Sequence, residues 1–427
     1  MKRSISILVI CALALNGAAV RAEETVRYAA VETVESSREL SGSFVSTGTG
    51  ESAICVTSGT LLLRDASIVR SCDAAAEDAA VQSGAGAAVL AAGGRVNIRS
   101  SAIDADAPGA AGLLAAAEGE IVAAEVAVDT GRDGSAGIAA SGGVLRAENL
   151  RVTTGGNASP AIRLDSGGSA SVEGGSYQTS GADSPAADAS AEGRLRDAEL
   201  TAGASEALCV HSGGNLLLQN CRVLGGAMTE ERGGIAAALL CADGEDGARL
   251  EMAGGELSAR SGRLFCMEGG AGEILLCGVE LDAEAEILLE CIGAPGRATG
   301  AAIGRFTAIG QAMGGDVCWN TGFGLEFYLS EGSSLSGAVY AGEDAAGGGY
   351  CSLYIDASSH WTVTADSMLT NLSCAGEIVD ADGRSVTIVG TDGTVYVQGD
   401  GERSVTVERY SAECDMSGAG RRADGEV

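Results

Sequence analysis

The sequence predicts an all-β fold, a single-stranded right-handed parallel β-helix, and three observations carry that prediction. Glycines recur at nearly constant intervals: Gly94, Gly119, Gly143, Gly168 and Gly193 are spaced by 25, 24, 25 and 25 residues, and Gly214, Gly247 and Gly272 continue the series with wider scatter. Apolar runs of three to five residues flank each glycine, too short for helices and right for strands. The 427 residues hold 65 Gly but only 4 Pro, which suits a chain that needs sharp corners and unbroken backbone ladders.

Each unit reads as strand, glycine turn, strand, polar turn, strand. Ala87 to Leu90 precedes Gly94 and Arg95 to Ile98 follows it; Ala161 to Leu164 precedes Gly168 and Ser169 to Val172 follows it. Gly143 and Gly214 sit in equivalent settings. A repeat of about 25 residues with three short strands makes one rung, and rungs stack about 4.8 Å apart. Crossovers between parallel strands are right-handed in nearly all cases, which sets the expected hand. A leucine-rich repeat has a similar period but needs a leucine frame and a helical segment per unit, and neither is present.

The expected organisation runs as follows. Residues 1–22 read as a secretory signal peptide: Lys2 and Arg3, an apolar core from Ile5 to Leu15, and a small-residue cleavage site ending at Ala22. Residues 23–40 are expected to cap the first rung. An Ala/Gly-rich coil spans 41–300, with the boundary expected between Gly296 and Gly315. An aromatic-richer continuation spans 301–411, and a loose polar tail spans 412–427. The division rests on aromatic content: between Val45 and Leu264 the only aromatic is Tyr177, whereas Phe265 to Tyr410 holds twelve. Trp361 is the expected structural anchor of the last rungs. No segment outside the leader is long and apolar enough for a transmembrane helix, so the mature chain is expected to carry no integral membrane segment.

Charge excludes one class of partner. There are 58 acidic and 27 basic residues, and the net charge of −31 becomes −34 once Lys2, Arg3 and Arg21 leave with the leader. Such a surface repels phosphate, so no nucleic acid is expected. It also leaves room for weak, diffuse calcium binding, with no cofactor otherwise implied. Of the 13 cysteines, Cys11 lies in the leader. Cys209, Cys241, Cys266 and Cys291 each fall five or six residues before an aligned glycine, and are expected to form one inward column of free thiols. With only His211 and His360, and no CxxC pair, no metal site is expected.

The run from Trp361 to Leu372, followed by Ile378 to Gly383, resembles late passenger rungs of adhesin-like autotransporters and β-helix surface proteins of gut bacteria. The likeness covers about the last hundred residues. It implies a bacterial β-helix, secreted or on the cell surface, that acts in adhesion or aggregation. Its partners would be host or cell-surface glycans or proteins. The autotransporter's translocator barrel is not found within these residues, nor is a sortase-type ending.

The rival function is a polysaccharide lyase or glycoside hydrolase of the β-helix class. Asp104 with Asp106 and Asp380 with Asp382 are the Asp-x-Asp pairs, both in turn-like settings. Adjacent acids at Glu77–Asp78, Glu230–Glu231, Glu245–Asp246 and Glu343–Asp344 could supply a glycosidase pair, but sequence does not give their separation. Asn320-Thr321-Gly322 lacks the acid of the pectin-hydrolase run. The absence of lysine from the mature chain weighs against lyase chemistry. No catalytic residue is assigned, and a non-enzymatic adhesion protein is the leading expectation. A structural spacer rod is the third.

Overall fold

The computed structural model describes residues 28–73, 86–226, 236–242, 246–282, 285–293, 302–320, 322–342 and 349–423. The expected leader, the first residues of the expected cap, and the acid pairs Glu77–Asp78, Glu230–Glu231 and Glu343–Asp344 lie outside them. The described chain is a right-handed parallel β-solenoid of about 12 turns, with about 24 residues per turn and no helix. No helix among the described residues is long and apolar enough to cross a membrane.

One sheet takes a single strand from each turn, thirteen in sequence order from Ala29–Val34 to Val339–Ala341. A second network of 25 strands carries the other two sides. Both sides join it because the long strand Thr60–Ser71 pairs with Arg95–Arg99 through its first half and with Ala102–Asp106 through its second. Toward the C-terminal end a separate four-stranded sheet takes over the third side: Ala312–Gly314, Ser334–Gly337, His360–Val363 and Glu377–Asp380. All named strand pairs are parallel except the closing hairpin Thr387–Gly390 with Val395–Val397.

Alternation along each strand builds the core. In Arg95–Arg99, Val96 and Ile98 are fully buried while the flanking arginines are exposed. Register then stacks like on like: Leu61, Val96, Ile121, Leu145, Ala170, Gly193, Leu216, Leu250, Ile274, Phe306 and Phe327 form one continuous inward column. Each buried aliphatic side chain contributes about 1.5–3 kcal/mol. The column thickens from Ala and Gly to Phe. Phe306 meets Phe265 and Phe327 edge-on, with centroids 5.6 and 4.7 Å apart. Trp361 is fully buried and donates Nε1–H to Gly337 O at 2.9 Å.

The expected boundary near residue 300 is no break in the coil. Gly272–Cys277 pairs directly with Ala302–Ile309, and Ile287–Gly293 with Asp316–Trp319. Residues 29–46, expected in part as a cap, supply strands of the first turn itself. A second apolar cluster lies on the outer side of the thirteen-stranded sheet, where Cys55, Leu90, Leu114 and Ala139 stack in register and Tyr28 and Ala30 pack against them.

The aligned glycines serve a different purpose from the one expected. Positive φ falls on the residue before: Gly93, Gly142, Gly167 and Gly213, with φ of 88, 67, 77 and 78°. Gly94, Gly143, Gly168 and Gly214 are required by space, because a Cβ on Gly168 would lie 2.4 Å from Ala140 O and one on Gly214 2.3 Å from Ala189 O. Gly193 is not a corner at all; it pairs with Ala170 inside the strand. The polar turn also uses the left-handed region, filled on successive turns by Ser100, Glu125, Asn149, Gly174, Asp197, Asn220 and Gly254. Asn and Asp tolerate this region best after Gly.

The described part of the tail is not loose. Residues 411–423 run back along the outer face of the 25-stranded network, toward earlier turns. Gly420 N–H donates to Thr307 Oγ1 at 2.8 Å, Ala423 N–H to Glu251 Oε2 at 3.0 Å, and Arg249 Nη2 to Arg421 O at 2.8 Å. Beneath this strap Leu275 and Thr307 are fully buried and Glu251 is 1% exposed, although all three point outward from the coil.

Candidate functional site

Parallel in-register stacking places equivalent residues of neighbouring turns side by side on the outer faces, so surface chemistry is decided by register. On the 25-stranded network it produces a charge ladder. Glu120 lies between Arg95 at 3.1 Å and Arg146, and Arg222 lies between Glu199 at 3.4 Å and Glu256 at 3.2 Å. Arg305 reaches Glu326 at 3.4 Å. A shallow groove of about 220 Å3 crosses this face and is lined by Glu173, Arg194, Arg196 and Gln219, among others. Arg196 donates to Gln219 Oε1 through Nη2 at 2.8 Å and Nε at 3.1 Å.

The two Asp-x-Asp pairs do not converge on an empty space. Asp106 accepts Arg132 Nε at 2.8 Å, while Asp104 is exposed. Asp380 is buried and accepts the N–H groups of Asp382 and Arg384 at 3.0 and 2.9 Å. These backbone bonds hold its carboxyl below the usual range. Asp380 thus organises a turn. His360 is exposed and stacks in register between Ser334 and Glu377.

The four cysteines expected in one inward column separate. Only Cys291 faces inward, paired with Met267 and Trp319. Cys209 and Cys266 face outward and share a register position with Leu239 between them. Cys241 lies two residues farther along its strand, opposite His211. Counting from glycines failed because corner lengths vary, and a shift of one residue along a strand reverses the face. No disulfide joins any of the four. Burial raises the Cys209, Cys266 and Cys291 thiols.

The outward placement of Cys209 creates a cluster that sequence reasoning missed. His211 follows Cys209 by two residues and so points to the same side of the strand Leu208–His211. Register sets Asp188 of the preceding turn beside Cys209, and Cys241 of the following turn beside His211. His211 Nε2 is 2.8 Å from Asp188 Oδ1 and 3.4 Å from Cys209 Sγ. The donor atoms of Asp188, Cys209 and His211 all lie within 4.8 Å of one another, and among the described residues no other group of three His, Cys, Asp or Glu meets that condition. The hydrogen bond to Asp188, aided by Cys209 and Cys241, raises the His211 pKa. Arg163 Nε stands 4.0 Å from the other oxygen of Asp188.

A Cys-His-Asp relay is excluded by this geometry. A relay needs the acid on one imidazole nitrogen and the nucleophile on the other. Here both partners address Nε2. The Cys209 thiol is also raised by burial, the reverse of an activated nucleophile. The signal available in sequence was Cys209-Val210-His211, with Asp188 and Cys241 about one repeat to either side. Only the register joins them. No protein family matches this chain, and no curated protein matches it.

Proposed function

We infer that the protein is an exported, non-enzymatic β-solenoid that acts in adhesion or cell-surface interaction, binding its ligand along the outer face of the 25-stranded network. The observation that supports this reading is the charge ladder. A glycosidase needs one carboxyl free to hold a proton and another free to attack or activate water. On this face several carboxylates are engaged by arginines of neighbouring turns, as Glu120 is by Arg95 and Arg146. Engaged charges on a repeating lattice suit recognition of an extended polar ligand, with many weak contacts summed over several turns. Surface or host glycans fit such a lattice, and the groove at Glu173, Arg194, Arg196 and Gln219 offers both signs of charge to them.

The test is a glycan-array binding assay run beside a turnover screen on acidic polysaccharides. The expected result is binding without product release, weakened at least about tenfold when Arg194 and Arg196 are both changed to Ala. Product release in either the presence or absence of calcium would overturn it in favour of a polysaccharide lyase or hydrolase.

A further inference from the structure

We propose that Asp188, Cys209, His211 and Cys241 form a tetrahedral binding site for zinc(II) on the outer face of the thirteen-stranded sheet. The proposal does not depend on the adhesive reading of the opposite charge ladder.

Convergence is the first argument. Three successive turns deliver donors to one place: Asp188 from Ala187–Ala189, Cys209 and His211 from Leu208–His211, and Cys241 from Ala238–Cys241. Their strands are paired in register, so the backbone holds the donors at fixed intervals. Asp188 Oδ1 and Cys209 Sγ both aim at Nε2 of His211, and Cys241 stands in register opposite this residue on the following turn. A zinc ion with bonds of about 2.0–2.3 Å sets its ligands about 3.3–3.8 Å apart. The three mutually close donors lie within 4.8 Å, so small side-chain rotations bring them onto one ion, and Cys241, in register opposite His211, is the fourth donor that turns in on binding.

Donor chemistry is the second argument. Two sulfurs, one imidazole nitrogen and one carboxylate oxygen match zinc, whereas calcium takes oxygen ligands only. The surroundings favour a cation: Asp165 and Glu206 act electrostatically on Asp188 and Cys209 respectively, against the single guanidinium of Arg163. Arg163 stands on the Oδ2 side of Asp188 and leaves Oδ1 toward the cluster, the outer-shell arrangement that orients a carboxylate ligand.

Access is the third. Cys209 is 8% exposed, whereas the His211 side chain is 42% exposed, so the site has a dry floor and an open side. On binding, the two thiol protons, and the imidazole proton where present, pass to solvent as the S–Zn and N–Zn bonds form. No electron is transferred.

The experiment uses the full chain under reducing, metal-free conditions. Cobalt(II) is added as a spectroscopic stand-in, and zinc affinity is read by competition with a chromophoric chelator. The expected result is one cobalt per chain with thiolate-to-metal charge-transfer and tetrahedral d–d bands, bleached by one equivalent of zinc. Cys209→Ser and His211→Ala should each weaken zinc at least about 100-fold, and Cys241→Ser should reduce the charge-transfer intensity by about half. Cys266→Ser, at the register position of Cys209 but two turns farther on, should leave all readings unchanged. Far-UV circular dichroism of each variant confirms the fold; the substituted groups face outward and the parent strands keep their ladders. Absence of the charge-transfer band, its undiminished intensity in Cys209→Ser, or an unchanged spectrum in Cys241→Ser would overturn the four-donor site.

Discussion

Ser159 Oγ accepts the backbone N–H of Ser135, one turn earlier, at 3.0 Å. Ser184 Oγ does the same for Ser159 N–H at 3.0 Å. Thr130, Thr154 and Thr179 donate to the carbonyls of Ser135, Ser159 and Ser184. The three serines are fully buried. They form a polar ladder inside a corner, where backbone groups leave the sheet hydrogen bonds and would otherwise be unsatisfied. The rod is therefore held by side-chain bonds at its corners as well as by apolar columns.

Ser159→Ala should cost about 1–3 kcal/mol, because it orphans the buried N–H of Ser135. Urea denaturation of the full chain measures it. An exposed control such as Ser43→Ala should stay within about 0.5 kcal/mol. A loss at Ser159 no larger than at Ser43 would mean that the ladder is dispensable.

The paired corner glycines should respond differently to substitution. At Gly167 a Cβ finds space but meets positive φ, so Ala should cost about 1–2 kcal/mol and Asn less. At Gly168 a Cβ meets the carbonyl of Ala140 head-on, so Ala should cost more than at Gly167, and Asn should bring no relief. Thermal melts of the four variants rank them, and the reverse order would refute the division of labour.

Acid should loosen the C-terminal end first. Backbone and hydroxyl hydrogen bonds lower Asp356, Asp380, Asp392, Asp400 and Asp415 below the usual carboxylate range. A lowered folded pKa contributes stability that is present above the unfolded value, about 3.9, and is lost as pH falls through the folded one. Protection factors of residues 380–411, that is exchange corrected for the intrinsic rate at each pH, should thus fall on going from pH 6 to pH 3, ahead of those of strands such as Arg95–Arg99. Uniform protection across that range would count against it.

The strap from Ser411 to Ala423 covers an outward surface that would otherwise be wet. Truncation after Ser411 should leave the coil intact by circular dichroism. It should also raise dye binding to exposed apolar surface several-fold at Leu275 and the stacked pair Tyr328 and Tyr354, whose rings lie 4.5 Å apart. Dye binding equal to that of the full chain would show that the strap does not shield them.

Native-state alkylation should separate the thiols by face. Cys241 and Cys318 are half-buried and should react at least about tenfold faster than Cys291 and Cys351, which are fully buried. Burial pushes Cys351 up to about 12, so little thiolate is available there. In denaturant without reductant, Cys209, Cys241, Cys266 and Cys291 should all titrate as thiols. Equal native rates would contradict the inward and outward assignments.

Glycine spacing, short alternating runs and the shortage of proline were enough for the solenoid, because a repeat writes its period directly into the chain. The gradient of aromatics was legible too, and it became the Phe306–Phe327 core. Corner chemistry was less so. The recurring Thr and Ser five residues apart, at Thr130 and Ser135, Thr154 and Ser159, and Thr179 and Ser184, stood in the sequence, but their bonds run between turns and carry no local pattern. Nor did the sequence show that Gly167 bends the chain while Gly168 only makes room.

What the amino-acid sequence determined by itself is the architecture: a coil of short strands with small residues at its corners, since strand period and turn chemistry act locally. What only the tertiary structure decided is which side chains meet. Corners of unequal length set the face on which Cys209, Cys241, Cys266 and Cys291 emerge. The stacking register then joined Asp188, Cys209, His211 and Cys241 across three turns. A one-residue slip would have turned any of them to the opposite face, and no count along the chain records that slip.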